Sequence, residues 1–177
     1  LTVSQKRILD LCRVAQLLHQ RGVPFELTIA GGGVDEDQVR RELVPLAAKG
    51  VVRFAGVLDP GLTLEAMAGQ DVLINVSEFE GLPLSLIEAM ARGLVPVVSR
   101  IESGVQQVVK DGENGFLVPV GAVENFAARL ETLARDRGLL GAMSARAYRA
   151  VADGGFRRED MVARYLEVFE MVEADKR

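Results

Sequence analysis

Tryptophan is absent from this 177-residue chain, aromatic residues make up only 5% of it, and it has one cysteine, Cys12, and one histidine, His19. A lone cysteine excludes an intrachain disulfide and suits a reducing compartment. The histidine falls near the apolar face at the end of a helical stretch, where packing and the helix dipole explain it better than catalysis does. An excess of positive charge is also missing. The 21 basic and 25 acidic residues leave a formal charge of −4, so no general basic field recruits nucleic acid, and any anionic ligand must be held locally. No apolar run reaches the 18 residues of a membrane-spanning helix, and no signal-peptide pattern, low-complexity tract or internal repeat is visible. What is present is 49% hydrophobic content on a length that supports one sizeable core.

Helical and extended patterns alternate along the chain. Residues 5–20 carry Ile8, Leu11, Cys12, Ala15 and Leu18 on one helical face. Residues 25–30 read as a strand running into three glycines, residues 35–49 as a helix bent or broken at Pro45, and residues 51–54 as the next strand. A short helix over 62–68 precedes an apolar strand at 71–76. A strand at 95–99, a helical turn at 105–109 and a strand at 115–118 follow. Beyond Ala122 the pattern is helical, with breaks near 136–138 and at 153–155. Short strands separated by helices predict an α/β fold with a doubly wound parallel sheet, Rossmann-like, with right-handed crossovers. Ligands in such sheets sit at the carboxyl ends of the strands, which picks out the loops at 31–33, Gly56 and 78–83.

The most informative run is Ser77-Glu78-Phe79-Glu80-Gly81-Leu82-Pro83-Leu84-Ser85-Leu86-Ile87-Glu88-Ala89-Met90. It follows a strand, and Pro83 suits the first position of a helix. Gly81 and the amides of Leu82, Leu84 and Ser85 then lie at a helix N-terminus, where unpaired N–H groups and the dipole favour a phosphate. The Cβ of Glu88, in the second turn, leans back toward that same end. A carboxylate beside a phosphate site is unfavourable unless it has another use, and accepting two hydrogen bonds from the diol of a ribose is one.

These residues resemble the donor-binding half of retaining glycosyltransferases of family 4 (group 1), which have the GT-B fold. The signature is two glutamates separated by seven residues, then Ala-Met-Ala, Gly and a Pro-Val-Val strand. Glu80 and Glu88 are followed here by Ala89-Met90-Ala91-Arg92-Gly93-Leu94-Val95-Pro96-Val97-Val98-Ser99, and the likeness continues through 101–105 and 111–119. Two departures stand out: Gln107 where the family often has Glu, and Arg92 where it has a small residue or Cys. The resemblance spans 1–165. It also matches Lys6 to a pyrophosphate-binding lysine whose partner arginine would immediately precede Leu1. It thus implies a fragment that begins at or within the first strand of the C-terminal domain of a longer enzyme.

The resemblance implies roles for each position. Lys6 would hold the diphosphate and Glu80 hydroxyls of the transferred sugar, these two being the catalytic candidates. Glu88 would hold the ribose, and the amides after Gly81, from Leu82 to Ser85 through Pro83 and Leu84, the distal phosphate. Gly31 and Gly32 would let backbone approach the ligand, and the base would lie near Arg53 to Val57, held through backbone. The partners implied are a UDP-, GDP- or ADP-sugar and an acceptor glycan, lipid or small molecule bound by another domain, with no metal, no cofactor and no nucleic acid. Any peripheral membrane association would run through that other domain, and the location implied is cytoplasmic or at the inner membrane face. Residues 1–155 would form the nucleotide-sugar domain and 156–177 a helix packing back toward the acceptor domain.

Other readings compete. Glycines at 31–33 resemble a dinucleotide fingerprint, but its third glycine would fall at Glu36. Nucleotide-sugar epimerases and phosphorylase-like enzymes share the GT-B architecture, although an epimerase needs a histidine in the cleft. Flavodoxin-like or response-regulator-like binding modules share the doubly wound sheet, and the latter need an acidic cluster where this chain has glycines.

Overall fold

The computed structural model describes residues 3–174. Nine helices and five strands alternate among these residues: α1 (Val3–Lys6), α2 (Ile8–Gln20), β1 (Leu27–Ala30), α3 (Glu36–Ala48), β2 (Val52–Gly56), α4 (Pro60–Met67) and β3 (Val72–Asn75) come first. They are followed by α5 (Leu84–Met90), β4 (Val95–Ser99), α6 (Val105–Val108), β5 (Phe116–Val118), α7 (Val123–Arg135), α8 (Arg137–Ala152) and α9 (Arg158–Ala174). Every strand pair is parallel. The α/β class and its strand directions are those expected from the alternating pattern. The strands, however, form two sheets: β1 with β2, and β3-β4-β5.

Burial follows the split. All residues of β4 and β5 are buried, as in the middle of a parallel sheet covered on both faces, whereas β1 and β3 are only partly buried although LTIA and VLIN are nearly as apolar. Helices α2 and α7 tie the two sheets together. Leu11, Val14 and Leu18 of α2 and Phe126 and Leu133 of α7 share one core with Val95, Val97 and Phe116, and Leu27, Ile29, Val72 and Ile74 pack against it. Cys12 lies on the other side of α2 with Val39, Leu43 and Val52. Burial pushes its thiol up to about 11, so it is a core residue and not a nucleophile.

Three boundaries differ from the periodicity-based expectation for stated reasons. The helix expected to run unbroken over 5–20 is interrupted at Arg7, the one non-glycine residue of positive φ (45°) among those described. The side chain of Arg7 donates to Asp10 (2.7 Å) and to Glu78 (3.0 Å), contacts that hold a left-handed conformation unfavourable for a non-glycine residue. Pro45 does not break α3. Helix α3 runs from Glu36 to Ala48 as one element, with Pro45 on its exposed side and the packing of Val39, Leu43 and Leu46 outweighing the lost hydrogen bond. Pro83 stands at the N-cap of α5, one residue before the first helical position, with φ −63° and ψ 126°. Its missing N–H costs nothing there.

Helix α9 stands apart from this core. Tyr165 and Phe169 lie one turn apart with tilted rings whose centroids are 6.4 Å apart, yet each remains 60% exposed, and most other apolar residues along the helix are exposed too.

Candidate functional site

Strands β1, β2 and β3 all end on one side of the molecule, and a cavity of about 380 Å3 opens there. Its wall is made by Lys6, the glycine loop 31–33, Phe54, Gly56, Asn75 and Ser77. Arg40 of α3 stacks its guanidinium over the Phe54 ring, 4.5 Å from the centroid, placing a cation and an aromatic face at the rim. The glycine loop is shaped by close approach. A Cβ on Gly32 would stand 3.2 Å from Val57 Cγ2 and 3.3 Å from Glu36 Oε2, and Gly31 has φ 122°, which L side chains rarely adopt.

Lys6 and Glu80 meet at this end of the sheet, although 74 residues separate them. Lys6 Nζ donates to Glu80 Oε1. The kink at Arg7 makes the contact possible: Gln5 accepts a backbone hydrogen bond from Glu78 N–H at 2.8 Å, so α1 is pinned to the loop that follows β3. Burial works to raise the Glu80 carboxyl, but hydrogen bonding with Lys6, then Ser77, and the Lys6 charge outweigh it and hold the group below its ordinary value. Asn75 adds to the same effect, and its Oδ1 accepts from Ser77 N–H at 2.9 Å. Glu80 therefore stabilises the fold fully above the ordinary carboxylate range, and this contribution is lost as pH falls through its lower folded value. Wild type is expected to exceed Glu80→Gln in stability by up to about 1 kcal/mol at pH 7, Lys6 being well exposed. Denaturant unfolding should show the gap closing as pH falls below the ordinary carboxylate range; a constant gap would mean the charge is not its source.

Glu88 lies half-buried on α5, whose Leu86, Ala89 and Met90 face the core. Among the described residues its carboxylate has no hydrogen-bond or ion-pair partner; only its backbone carbonyl is engaged, by Arg92 at 3.1 Å. Gly81, Leu82, Leu84 and Ser85 are exposed at the start of α5. The loop before α6 packs on them: a Cβ on Gly104 would come within 2.9 Å of Leu82 Cβ and 3.4 Å of the Gly81 carbonyl.

Of the residues singled out by sequence, Lys6, Gly31 and Gly32 line the cavity, and Glu80 is joined to it through Lys6. Glu88 and residues 81–85 sit on the neighbouring α5 shoulder and are not part of that wall. Arg53 turns toward Thr28 (3.4 Å), and Val57 is 82% exposed. Sequence reasoning included Phe54 only within the segment 53–57 and missed Arg40, Asn75 and Ser77. The polar pair flanking Val76 at the end of an apolar strand is the signal that marks the last two.

A parallel α/β domain with a glycine loop, a lysine and a carboxylate at its strand ends has the build of a Rossmann-like domain of the GT-B type. The profile of the family described as glycosyl transferases group 1 matches residues 2–150, and the chain belongs to that family. It is 34% identical over 142 residues to the lipopolysaccharide core biosynthesis glycosyltransferase LpsE of Rhizobium meliloti (strain 1021), covering 80% of this chain and 41% of that protein. The fold matches a mutant of S. aureus TarM solved in complex with fondaparinux, alpha-GlcNAc-glycerol and UDP. The TM-score is 0.85 at 22% identity, over 95% of this chain and 34% of TarM. It also matches the C-terminal domain of the group 1 glycosyl transferase LpcC of Francisella tularensis, with a TM-score of 0.74 at 20% identity, over 86% of this chain and 80% of that one. The chain thus spans less than half the length of LpsE.

Proposed function

We propose that this chain is the donor-binding half of a retaining glycosyltransferase that moves a hexose-type sugar from a nucleotide diphosphate to an acceptor. The observation that carries the reading is the Lys6–Glu80 pair beside the glycine loop, on a chain of this family. Lys6 takes the diphosphate, where negative charge develops as the sugar departs, and Glu80 orients sugar hydroxyls. The free carboxylate of Glu88 accepts from the ribose, and the amides after Gly81 meet the distal phosphate. The base lies between the glycine loop and the segment 53–57. The UDP bound to TarM supports a nucleoside diphosphate as the ligand class. The acceptor is held by a further domain, toward which the exposed apolar residues of α9 turn, with 1–155 as the nucleotide-sugar unit and 156–177 as the returning helix. The work is done where nucleotide sugars are made, in the cytoplasm. No helix among the described residues is long and apolar enough to cross a membrane.

An epimerase reading fits less well. His19 sits in the last turn of α2 with its Nε2 2.9 Å from Lys49 Nζ, about 16 Å along the helix from the Ile8 end that lines the cavity.

Titrating UDP, GDP and ADP against the protein and against Glu88→Ala tests the assignment. The substitution is expected to weaken the preferred diphosphate by about 1–3 kcal/mol, the order of losing charge-assisted hydrogen bonds. The 2′,3′-dideoxy analogue should lose little further on Glu88→Ala. If wild type and variant distinguish ribose from dideoxyribose equally well, Glu88 is not the ribose ligand.

A further inference from the structure

The glycine loop runs into α3, yet the start of that helix is a poor place for a phosphate. Backbone N–H groups at a helix start favour an anion, but Asp35, Glu36 and Asp37 already put three carboxylates there. A diphosphate is repelled from this part of the cavity and drawn to Lys6, which lines the same wall. The nucleotide of the reading above then has one orientation, with its phosphates at Lys6 and its base at the start of α3.

The side chains at that place form a fixed set of donors and acceptors. Arg40 donates from Nε (3.0 Å) and Nη2 (2.8 Å) to a single oxygen of Glu36, Oε1, and its guanidinium carbon lies 4.5 Å from the centre of the Phe54 ring. Tied to a carboxylate and laid on an aromatic face, it has little freedom left to lose on binding. Two polar groups of the pair stay unused among the described residues: Glu36 Oε2 accepts no hydrogen bond and Arg40 Nη1 donates none. Glu36, Arg40 and Phe54 all line the cavity. A Cβ on Gly32 would touch both Glu36 Oε2 (3.3 Å) and Val57 Cγ2 (3.2 Å), so the bare carboxylate oxygen and the segment 53–57 meet across the glycine loop.

A carboxylate oxygen only accepts, and a guanidinium only donates. Guanine carries a carbonyl, an N–H and an amino group side by side on one edge, which offers Arg40 an acceptor and Glu36 two donors. Uracil has a second carbonyl in place of that amino group, and the carboxylate would face it. Adenine has no carbonyl and brings the carboxylate its amino group alone. A charged group left unmatched is the costlier kind to leave. We propose that Glu36 and Arg40 read the base of the donor and select guanine, so that the ligand class is a guanosine-diphosphate sugar. This selectivity rests on the donor-binding reading above and resides in side chains, not in backbone contacts.

Calorimetric titration of wild type, Glu36→Ala and Arg40→Ala tests it with four ligands: GDP, UDP, ADP and inosine diphosphate, which lacks the amino group of guanine. Ratios between ligands are the readout, because removing a charge shifts every diphosphate alike. Wild type is expected to bind GDP about tenfold to a hundredfold more tightly than UDP or ADP. Glu36→Ala should leave GDP no better bound than inosine diphosphate. Arg40→Ala should weaken GDP and inosine diphosphate by the same factor relative to ADP, since both carry the carbonyl. Equal wild-type affinities, a preference for UDP or ADP, or a GDP preference that survives Glu36→Ala overturns the base assignment and leaves the donor-binding reading standing. Binding of none of the four overturns both.

Discussion

Exchanging Glu80 for glutamine in the whole enzyme is expected to lower sugar transfer by about tenfold to a thousandfold, the scale of losing one positioned electrostatic contact. Glutamine keeps the shape of the side chain and removes its charge. In the wild type that charge is held on by Lys6, and on the proposed reading it offsets positive charge developing on the sugar ring. The same exchange frees Lys6 from its carboxylate partner. Binding of the bare nucleoside diphosphate should therefore hold or tighten slightly while turnover falls. Measured side by side, kcat/KM for the nucleotide sugar and Kd for the diphosphate separate the two effects. Equal weakening of both ligands with turnover intact would assign Glu80 a role in holding α1 to the loop and not in the reaction.

The second large effect lies in the core. Phe126 of α7 is 1% exposed and packs with Val97, Phe116 and Leu11 in the cluster that bridges the two sheets. Phe126→Ala is expected to cost about 3–5 kcal/mol, since it removes buried apolar area and leaves a cavity the surroundings fill only in part. For a chain of this size that corresponds to a thermal midpoint lower by roughly 6–20 °C. Phe126→Leu should recover most of the loss, and scanning calorimetry of both variants checks the pair. A small loss for Phe126→Ala would mean that α7 settles onto the sheets without its ring.

The elements that sequence located best are those set by local composition. Val95–Ser99 matches its expected bounds because Val, Pro, Val and Val form a buried parallel strand between the turn at Gly93 and Arg100. The breaks at 136 and 153–155 were legible because Asp136 caps α8 through Leu139 N–H (2.8 Å) and Gly155 has φ 70°. Contacts that depend on distant partners left no trace. The left-handed turn at Arg7 needs Glu78, 71 residues away, and the Lys6–Glu80 pair needs that turn. Periodicity reported Ile8, Leu11 and Leu18 correctly as one face but had no means of showing where the helix stops. The glycine loop and Lys6 line one cavity, whereas Arg53 turns aside because alternate residues of a strand face opposite sides, and Phe54, its neighbour, lines the cavity.

Among the described residues each ladder joins strands that are consecutive in the chain. Leu27 meets Val52, Val72 meets Val95 and Val97 meets Phe116, so no pairing reaches beyond the next strand. The two sheets occupy separate stretches, 27–56 and 72–118, and neither waits for residues of the other to form its ladder. As the polypeptide leaves the ribosome, β1 and β2 can therefore assemble before β3 has been synthesised. The core shared by the two sheets includes Phe126 and Leu133 of α7, so it is complete only once residues past Val123 have been made.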